Sequence, residues 1–159
     1  MTSAQKQPVI LACYDGSEGS RAALAAAAGM LAPSRAVVLT VWETVELRLT
    51  RLAAFGNIPI AGSTADADEQ EQAAAQQAAE EGAARAVERG FEAEARIAQA
   101  TESVWRTVVE VADEIDADLI LVGSRGRGTF GGAVLGSTSH GVLQHARRPV
   151  LVSPESERH

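Results

Sequence analysis

The sequence predicts a single α/β domain over residues 1–159, an open, doubly wound parallel sheet of five strands with helices on both faces. Continuous apolar runs, typical of strands buried on both faces, alternate along the chain with segments of helical periodicity. This alternation predicts parallel strands joined by right-handed helical crossovers. A length of 159 residues with 46% hydrophobic content suits one well-buried core, and no internal repeat or linker suggests a second domain.

Five short runs carry the strand prediction, at residues 9–14, 36–42, 91–97, 119–122 and 150–152. The third run alternates apolar with charged residues, whereas the first, second, fourth and fifth are almost wholly apolar. Alternation indicates that one face of a strand meets solvent, so the third strand is expected at an exposed edge of the sheet.

The helices are predicted from spacing and from their start and stop signals. The first follows Ser17, a good amino-terminal cap, and stops at Pro33. The second covers residues 68–89, with a core face that contains Ala79, Ala83 and Val87. The third is capped by Thr101 or Ser103 and has an apolar stripe at Val104, Val108, Val111 and Ile115. The last covers residues 136–147.

Residues 43–66 do not follow this regular pattern. Leu47, Leu49, Leu52 and Phe55 suggest a short helical piece or a flap docked over something apolar. A connection this long in a compact domain is usually functional or mobile.

The composition excludes several classes of protein. A net charge of −7 argues against a general binder of nucleic acids or of anionic membranes, because both need a basic surface. Cys13 is the only cysteine, so neither a disulfide framework nor a cysteine metal site is expected. No apolar stretch approaches the roughly 18 residues of a membrane span, and the amino terminus lacks a signal peptide's hydrophobic region. A soluble, cytoplasmic protein is therefore expected.

The most informative stretch is 119–139, which reads LILVGSRGRGTFGGAVLGSTS. A strand breaks into a loop with six glycines, and Ser137, Thr138 and Ser139 follow at the start of a helix. Glycines let the backbone approach a ligand closely, and the first N–H groups of a helix lack intrahelical partners. The pattern favours a phosphate at this helix start, and a flexible glycine loop without a ligand is the alternative.

Two common phosphate-binding fingerprints fit this stretch poorly. Residues 126–131 satisfy G-x-G-x-x-G, but they follow the fourth strand, and no acidic residue ends the next strand. The phosphate loop of ATPases also fails, because no lysine follows any of the glycines. A longer spacing fits better: Gly123, two residues, Gly126, nine residues, then Gly136 and Ser137.

This spacing resembles the nucleotide-binding signature of the universal stress protein family, in its ATP-binding subgroup. The resemblance runs from end to end. It includes Asp15-Gly16-Ser17 after the first strand, Val41 near the end of the second, DLILVGSRG before the loop and RPVLV at the close. Residues 43–66 diverge from the family pattern, and no role is carried over to them.

The resemblance implies the strand order 3-2-1-4-5, with ligands bound where the first and fourth strands diverge, beyond their carboxyl ends. It places Asp15 near the ribose and base and the backbone of Val41 against the adenine. A role for Asp15 as a simple turn carboxylate is the alternative. The residues implied around the phosphates are Gly123, Gly126, Gly136, Ser137 and Thr138, with Ser139 able to reach the terminal phosphate.

The implied cofactor is ATP, with or without Mg²⁺ carried by the phosphates, because no cluster of His, Cys or carboxylates would hold a metal alone. Arg125 and Arg127 add local positive charge, although a solvated loop arginine is an equally good interpretation. His140 and His145 are expected to be ordinary exposed or half-buried histidines of the last helix.

The sequence thus favours an adenine-nucleotide-binding regulatory or stress-response protein, since no general base, nucleophile pair or catalytic metal set is evident. A slow ATP hydrolase or nucleotide-dependent transferase that uses Asp15 or Ser139 stays open as an alternative. A partner-binding module that holds no nucleotide is a third, although the intact glycine signature argues against it.

The fifth strand predicts an assembly. It is short and apolar, and in this topology it forms the edge opposite the charged third strand. Such an edge invites antiparallel pairing with a second copy around a twofold axis, and the family resemblance points to the same homodimer. The alternative is that the polar tail at residues 154–159 covers this edge.

Overall fold

A computed structural model of the chain describes residues 6–56, 65–125 and 135–155. Within them the elements are β1 (Val9–Cys13), α1 (Glu18–Leu31), β2 (Arg35–Trp42), α2 (Val45–Ala53), α3 (Ala65–Glu88), β3 (Glu92–Gln99), α4 (Val104–Glu114), β4 (Leu119–Gly123), α5 (Ser137–His145) and β5 (Val150–Ser153). The predicted alternation of strands and helices is confirmed.

The five strands form one parallel sheet in the order β3-β2-β1-β4-β5. Ala12 of β1 pairs with Val38 of β2 on one side and with Leu121 of β4 on the other. β1 is therefore the central strand, and β3 is an edge strand as its alternating sequence predicted. The order 3-2-1-4-5 is confirmed.

Two apolar layers cover the sheet, one on each face. α1 and α3 pack on the face that contains Ile10 and Ala12 of β1 and Tyr14 just after it, while α4 and α5 pack on the face of Val9 and Leu11. Because successive strand residues point to opposite faces, the apolar run of β1 serves both cores. Leu11 is completely buried, as a central strand of a doubly wound sheet requires.

Helix α3 contacts the sheet through small residues. Ala75, Ala79, Gly82 and Ala86 are its buried positions. The predicted core face was right at Ala79 but wrong at Val87, whose side chain is 56% exposed. Val87 lies one residue beyond Ala86, about 100° further around the helix, and this rotation carries it out of the contact face.

The segment between β2 and α3 contains the helical piece that the sequence suggested, now placed at Val45–Ala53. Thr44 caps α2 by accepting a hydrogen bond from the Leu47 N–H, and Asp68 of α3 accepts one from the Val45 N–H. Docking over an apolar surface is not found for Leu52 and Phe55, which are exposed. Residues 57–64 lie outside the described part of the chain.

Helices α4 and α5 pack closely because one of them carries a glycine at the contact. A Cβ built on Gly141 would lie 2.3 Å from Cγ of Trp105, so only glycine fits there. The Trp105 ring also stacks on His145, with centroids 4.1 Å apart. Trp105 is therefore a packing residue at this contact, and His145 is an exposed histidine, as expected.

Among the described residues, no helix combines the length and the apolar character needed to cross a membrane.

Candidate functional site

A crevice opens at the carboxyl end of the sheet between β1 and β4. The two strands are neighbours, yet the chain leaves β1 toward the face of α1 and leaves β4 toward the face of α5. Two helix amino termini therefore flank the same edge of the sheet from opposite faces. In open α/β sheets this is the position at which ligands bind.

The connection from β1 to α1 is short and is held by its own side chains. Asp15 Oδ1 accepts a hydrogen bond of 2.9 Å from the Ser17 N–H, and Ser17 Oγ accepts one of 3.2 Å from the Ser20 N–H. Gly16 takes up a positive φ of 74°, which suits glycine in this turn. The Ser17 cap is confirmed, and Asp15 acts as a turn carboxylate while also lying at the mouth of the crevice.

The connection from β4 to α5 is long, and its two ends are tied together. The carbonyl oxygen of Ser124 accepts hydrogen bonds from the Gly136 N–H at 2.8 Å and from Ser139 Oγ at 3.1 Å. The Ser124 N–H in turn donates to the carbonyl oxygen of Ser153 at the end of β5. Residues 126–134 lie outside the described residues, and with them the predicted phosphate contact at Gly126.

The amino end of α5 differs from that of α1. Its cap is Gly136, which provides no side-chain hydrogen bond, and no acidic residue stands in the first turn. Ser137 is exposed, and Thr138 is partly exposed. Among the described residues, no capping side chain and no first-turn carboxylate compensates this end of α5. Its N–H groups and the positive end of its dipole are therefore suited to an external anion.

The hydroxyl of Ser139 is committed within the protein. The residue is 2% exposed, and its Oγ donates to the carbonyl oxygens of Ser124 and Gly136 at 3.1 and 3.0 Å. Ser139 therefore ties the first turn of α5 to the end of β4 in this conformation. The predicted contact with a terminal phosphate would require its side chain to rotate away from both carbonyls.

The backbone of Val41 faces the crevice. The carbonyl of Leu39 accepts a hydrogen bond from the Tyr14 N–H on the β1 side, whereas that of Trp42 accepts one from the Ala100 N–H on the β3 side. Backbone groups of alternate residues point to the same side of a strand, so Val41 shares the direction of Leu39. Since β1 has already ended at this level, the Val41 N–H and C=O point into the space beyond it.

The two connections touch each other through glycines. A Cβ on Gly19, in the first turn of α1, would lie 2.8 Å from the carbonyl oxygen of Arg125. A Cβ on Gly123 would lie 3.1 Å from the carbonyl carbon of Gly19. Both residues must stay small for α1 to approach the end of β4, and this approach fixes the width of the crevice.

Charged groups surround the amino end of α1. Arg125 pairs with Glu155, at 3.8 Å between Nη1 and Oε2, and Glu18 stands in the first turn of the helix.

On the opposite face of the sheet from Tyr14, burial raises the pKa of the Cys13 thiol to about 12, with the negative charge of Asp15 adding to the effect. The thiol is therefore neutral at physiological pH and is a poor nucleophile or metal ligand.

Sequence reasoning missed the contributions of Gly19 and Glu155. Nothing in the local pattern marks either residue, because each acts through a contact with Arg125, which is distant along the chain. The described residues contain no group of three or more His, Cys, Asp or Glu side chains that could hold a metal ion.

Known proteins are similar to this chain in sequence over part of its length and in fold over nearly all of it. Universal stress protein Rv2623 of Mycobacterium tuberculosis is 47% identical over 51 residues, which are 32% of this chain and 16% of that protein. The chain thus matches about a sixth of the length of this curated relative.

Two solved structures match nearly the whole chain. One is described as a universal stress protein in complex with cAMP, with 24% identity, a TM-score of 0.66 and coverage of 96% of this chain and 100% of that one. The other is a universal stress protein family protein from Arabidopsis thaliana with AMP bound, with 13% identity, a TM-score of 0.64 and coverage of 94% and 92%. Residues 8–154 match the sequence profile of the universal stress protein family, and the chain belongs to that family.

Proposed function

We propose that the protein binds an adenine nucleotide, ATP in particular, in the crevice between β1 and β4, and that it acts as a cytoplasmic regulatory or stress-response protein. The observation that carries the proposal is the amino end of α5. It offers a glycine cap and no acidic side chain, and it lies at the edge of the sheet where α/β folds bind ligands. Two similar proteins are described with adenine nucleotides bound, cAMP in one and AMP in the other.

The proposed pose combines what the family resemblance implies with the geometry on each side of the crevice. The base lies at the end of β2, where the backbone of Val41 offers one donor and one acceptor, and the ribose lies near Asp15. The phosphates extend over Gly123 toward the N–H groups of Ser137 and Thr138. Arg125 lies beside this path. Mg²⁺, when it accompanies ATP, is carried mainly by phosphate oxygens, as is usual for this ion.

Equilibrium dialysis or calorimetry with ATP, AMP and cAMP tests the proposal. Gly136→Val is the matched variant, because Gly136 is buried at the cap of α5 and a β-branched side chain there would obstruct phosphate approach. Loss of one or two charge-assisted hydrogen bonds corresponds to a roughly tenfold to hundredfold weaker binding. If the wild-type protein binds no adenine nucleotide up to millimolar concentration, the proposal is wrong.

A slow ATP hydrolase or nucleotide-dependent transferase would share this crevice. It would depend on Asp15 more than on Ser139, since the Ser139 hydroxyl already donates to two carbonyl oxygens. Turnover above about one per second that Asp15→Ala abolishes would replace the binding function with an enzymatic one.

The proposed assembly is a homodimer through β5. Ser153 and Pro149 direct their carbonyl oxygens to β4, so Val150 and Val152 direct their backbone groups away from the sheet.

Leu151 packs against the core on the α1 face, and its replacement by lysine would also disturb the monomer. Val152→Pro is the cleaner change, since it removes an outward N–H, keeps an apolar side chain on the α4 and α5 face where Val152 packs, and leaves the hydrogen bonds to β4. We expect sedimentation to show a wild-type dimer and a Val152→Pro monomer, and a wild-type monomer at micromolar concentration would contradict the assembly.

A further inference from the structure

The chain beyond β5 returns to the mouth of the crevice and places an acidic side chain there. Glu155 follows β5 closely, and its Oε2 lies 3.8 Å from Nη1 of Arg125. Its Cγ and Oε1 lie 3.5 and 3.7 Å from the position of a Cβ on Gly19, so the side chain runs along the first turn of α1. The two charged side chains are 26% and 45% exposed, which makes this a partly solvated ion pair.

This contact places a carboxylate where an anion is favoured. The first turn of α1 has the positive end of a helix dipole, and a negative charge close to it is stabilised. Glu155 also engages the guanidinium of Arg125, a cation that follows β4 and lies next to the proposed path of the phosphates. The carboxylate of Glu155 is therefore a competitor, within the same chain, for the charge that a phosphate would use.

We propose that Glu155 is a specificity-determining residue that limits how strongly additional phosphates increase affinity, because its carboxylate holds Arg125 and opposes negative charge at this end of the crevice. The inference rests on the proposed adenine-nucleotide site. Adenosine has no phosphate and does not respond to Glu155. AMP responds weakly, and ATP, with the highest charge, responds most.

The size of the effect follows from the exposure of the pair. Exposed ion pairs contribute little, so removing the Glu155 carboxylate from beside Arg125 is expected to change ATP binding by up to about fivefold. The effect is screened by salt, since an exposed pair is weakened when the Debye length falls to about 8 Å at physiological ionic strength and to about 3 Å at 1 M.

The inference is tested by calorimetric titration of wild type, Glu155→Gln and Glu92→Gln with adenosine, AMP and ATP. A chelator in the buffer removes divalent cations, so that no bound metal ion neutralises the phosphate charges. Glu92→Gln is the matched control, because it makes the same charge change at the exposed start of β3, at the opposite end of the sheet. We expect Glu155→Gln to tighten ATP about threefold to fivefold and AMP about twofold, with adenosine unchanged. Glu92→Gln should leave the ratio of ATP to adenosine affinity as in wild type.

The variant Arg125→Gln distinguishes competition for the arginine from a general charge effect. In the Arg125→Gln background, Glu155→Gln should increase ATP affinity by less than half as much as it does in the wild-type background. At 1 M salt this increase in affinity should vanish in both backgrounds. An equal gain for adenosine, an unchanged ATP-to-adenosine ratio or a fully additive double variant overturns the role of Glu155 and leaves the nucleotide site standing. Binding of no nucleotide by wild type or by any variant overturns the proposed function and this inference with it.

Discussion

The two strand-to-helix connections at the crevice use opposite solutions for the same problem. Each helix begins with N–H groups that have no intrahelical partner. At α1 the protein supplies these partners itself, through the Ser17 hydroxyl, the Asp15 turn and the acidic Glu18. At α5 the cap is Gly136, without a side-chain hydrogen bond or a first-turn acid within the described residues.

The difference separates a helix end that the protein compensates itself from one that suits the proposed ligand. A capped amino terminus has little left to offer an external anion, because its donors and its dipole are already compensated. An uncapped amino terminus leaves these groups to a ligand. The proposed phosphate is therefore assigned to α5 rather than to α1, although both helices begin at the same edge of the sheet.

The largest expected effect comes from breaking the contact that joins the two connections. In Gly19→Ala the new Cβ would meet the Arg125 carbonyl oxygen at 2.8 Å, a backbone atom that cannot move alone. We expect the free energy of unfolding to fall by about 1–3 kcal/mol, as in other overpacked sites, and nucleotide binding to weaken as the crevice widens. Urea unfolding followed by circular dichroism measures the first effect.

Gly29→Ala is the matched control for this change, in the same helix. No atom lies within 4 Å of a Cβ at Gly29, so alanine should increase stability there by up to about 1 kcal/mol through helix propensity. Equal stabilisation by both variants would show that α1 does not press against the end of β4.

A first-turn acid would make α5 resemble α1. Thr138→Asp adds a carboxylate beside the proposed phosphate position, and we expect ATP to bind about tenfold more weakly while the protein gains about 0.3–1 kcal/mol from the helix dipole. Thr138→Asn is the uncharged control. Calorimetry and thermal unfolding on the same samples give both numbers, and a loss of stability together with unchanged binding would contradict the assignment of phosphate to α5.

How much of this arrangement the sequence predicts depends on the range of the interaction. The strand order and the Ser17 cap were predictable, because hydrophobic periodicity and capping are local signals, and the family resemblance supplied the order. The exposure of Val87 was mispredicted, since alanines and Gly82, not the larger side chain, define the α3 contact.

The features of the site that were missed all depend on contacts distant in sequence. The commitment of Ser139 to the Ser124 carbonyl depends on how the glycine connection closes, and a row of hydroxyl residues does not reveal it. The position of Glu155 depends on the packing of α1 against the end of β4. Composition and spacing reveal neither contact, so the sequence predicted the position of the crevice but not these interactions within it.

A smaller effect is expected from the cap of α1 itself. Ser17→Ala removes the acceptor of the Ser20 N–H, which typically costs about 1 kcal/mol of stability. Because this end of α1 is not assigned to the phosphate, ATP affinity should stay within about twofold of wild type. Ser17→Asp, which keeps a capping oxygen, should restore the thermal midpoint. A loss of ATP binding that matches that of Gly136→Val would erase the distinction between the two helix ends.

The smallest effect concerns the residue that leads into the short connection. The Tyr14 hydroxyl donates to Glu81 Oε1 at 2.9 Å, and Arg21 and Arg85 approach the same carboxylate at 3.1 and 2.9 Å. The hydrogen bond from Tyr14, followed by that from Arg85, lowers the pKa of Glu81 below its ordinary value of 4.5, and the charge of Arg21 adds to this. This cluster fastens α3 to the end of β1, immediately before Asp15.

A lowered pKa in the folded state has a defined consequence for stability. The ionised carboxylate of Glu81 contributes stability above its unfolded pKa, and this contribution is lost as pH falls through 4.5 and then through the lower folded value. Wild type should therefore exceed Glu81→Gln in stability at pH 7, with the difference shrinking between about pH 5 and pH 3. The side chain is 39% exposed, so solvent screens the pairs and the difference stays small.

Urea midpoints of wild type and Glu81→Gln across this pH range measure the difference in stability. Tyr14→Phe, which removes the first of the hydrogen bonds, should flatten the pH dependence of the difference, and a difference that does not vary with pH would show that the charge of Glu81 does not stabilise the short connection.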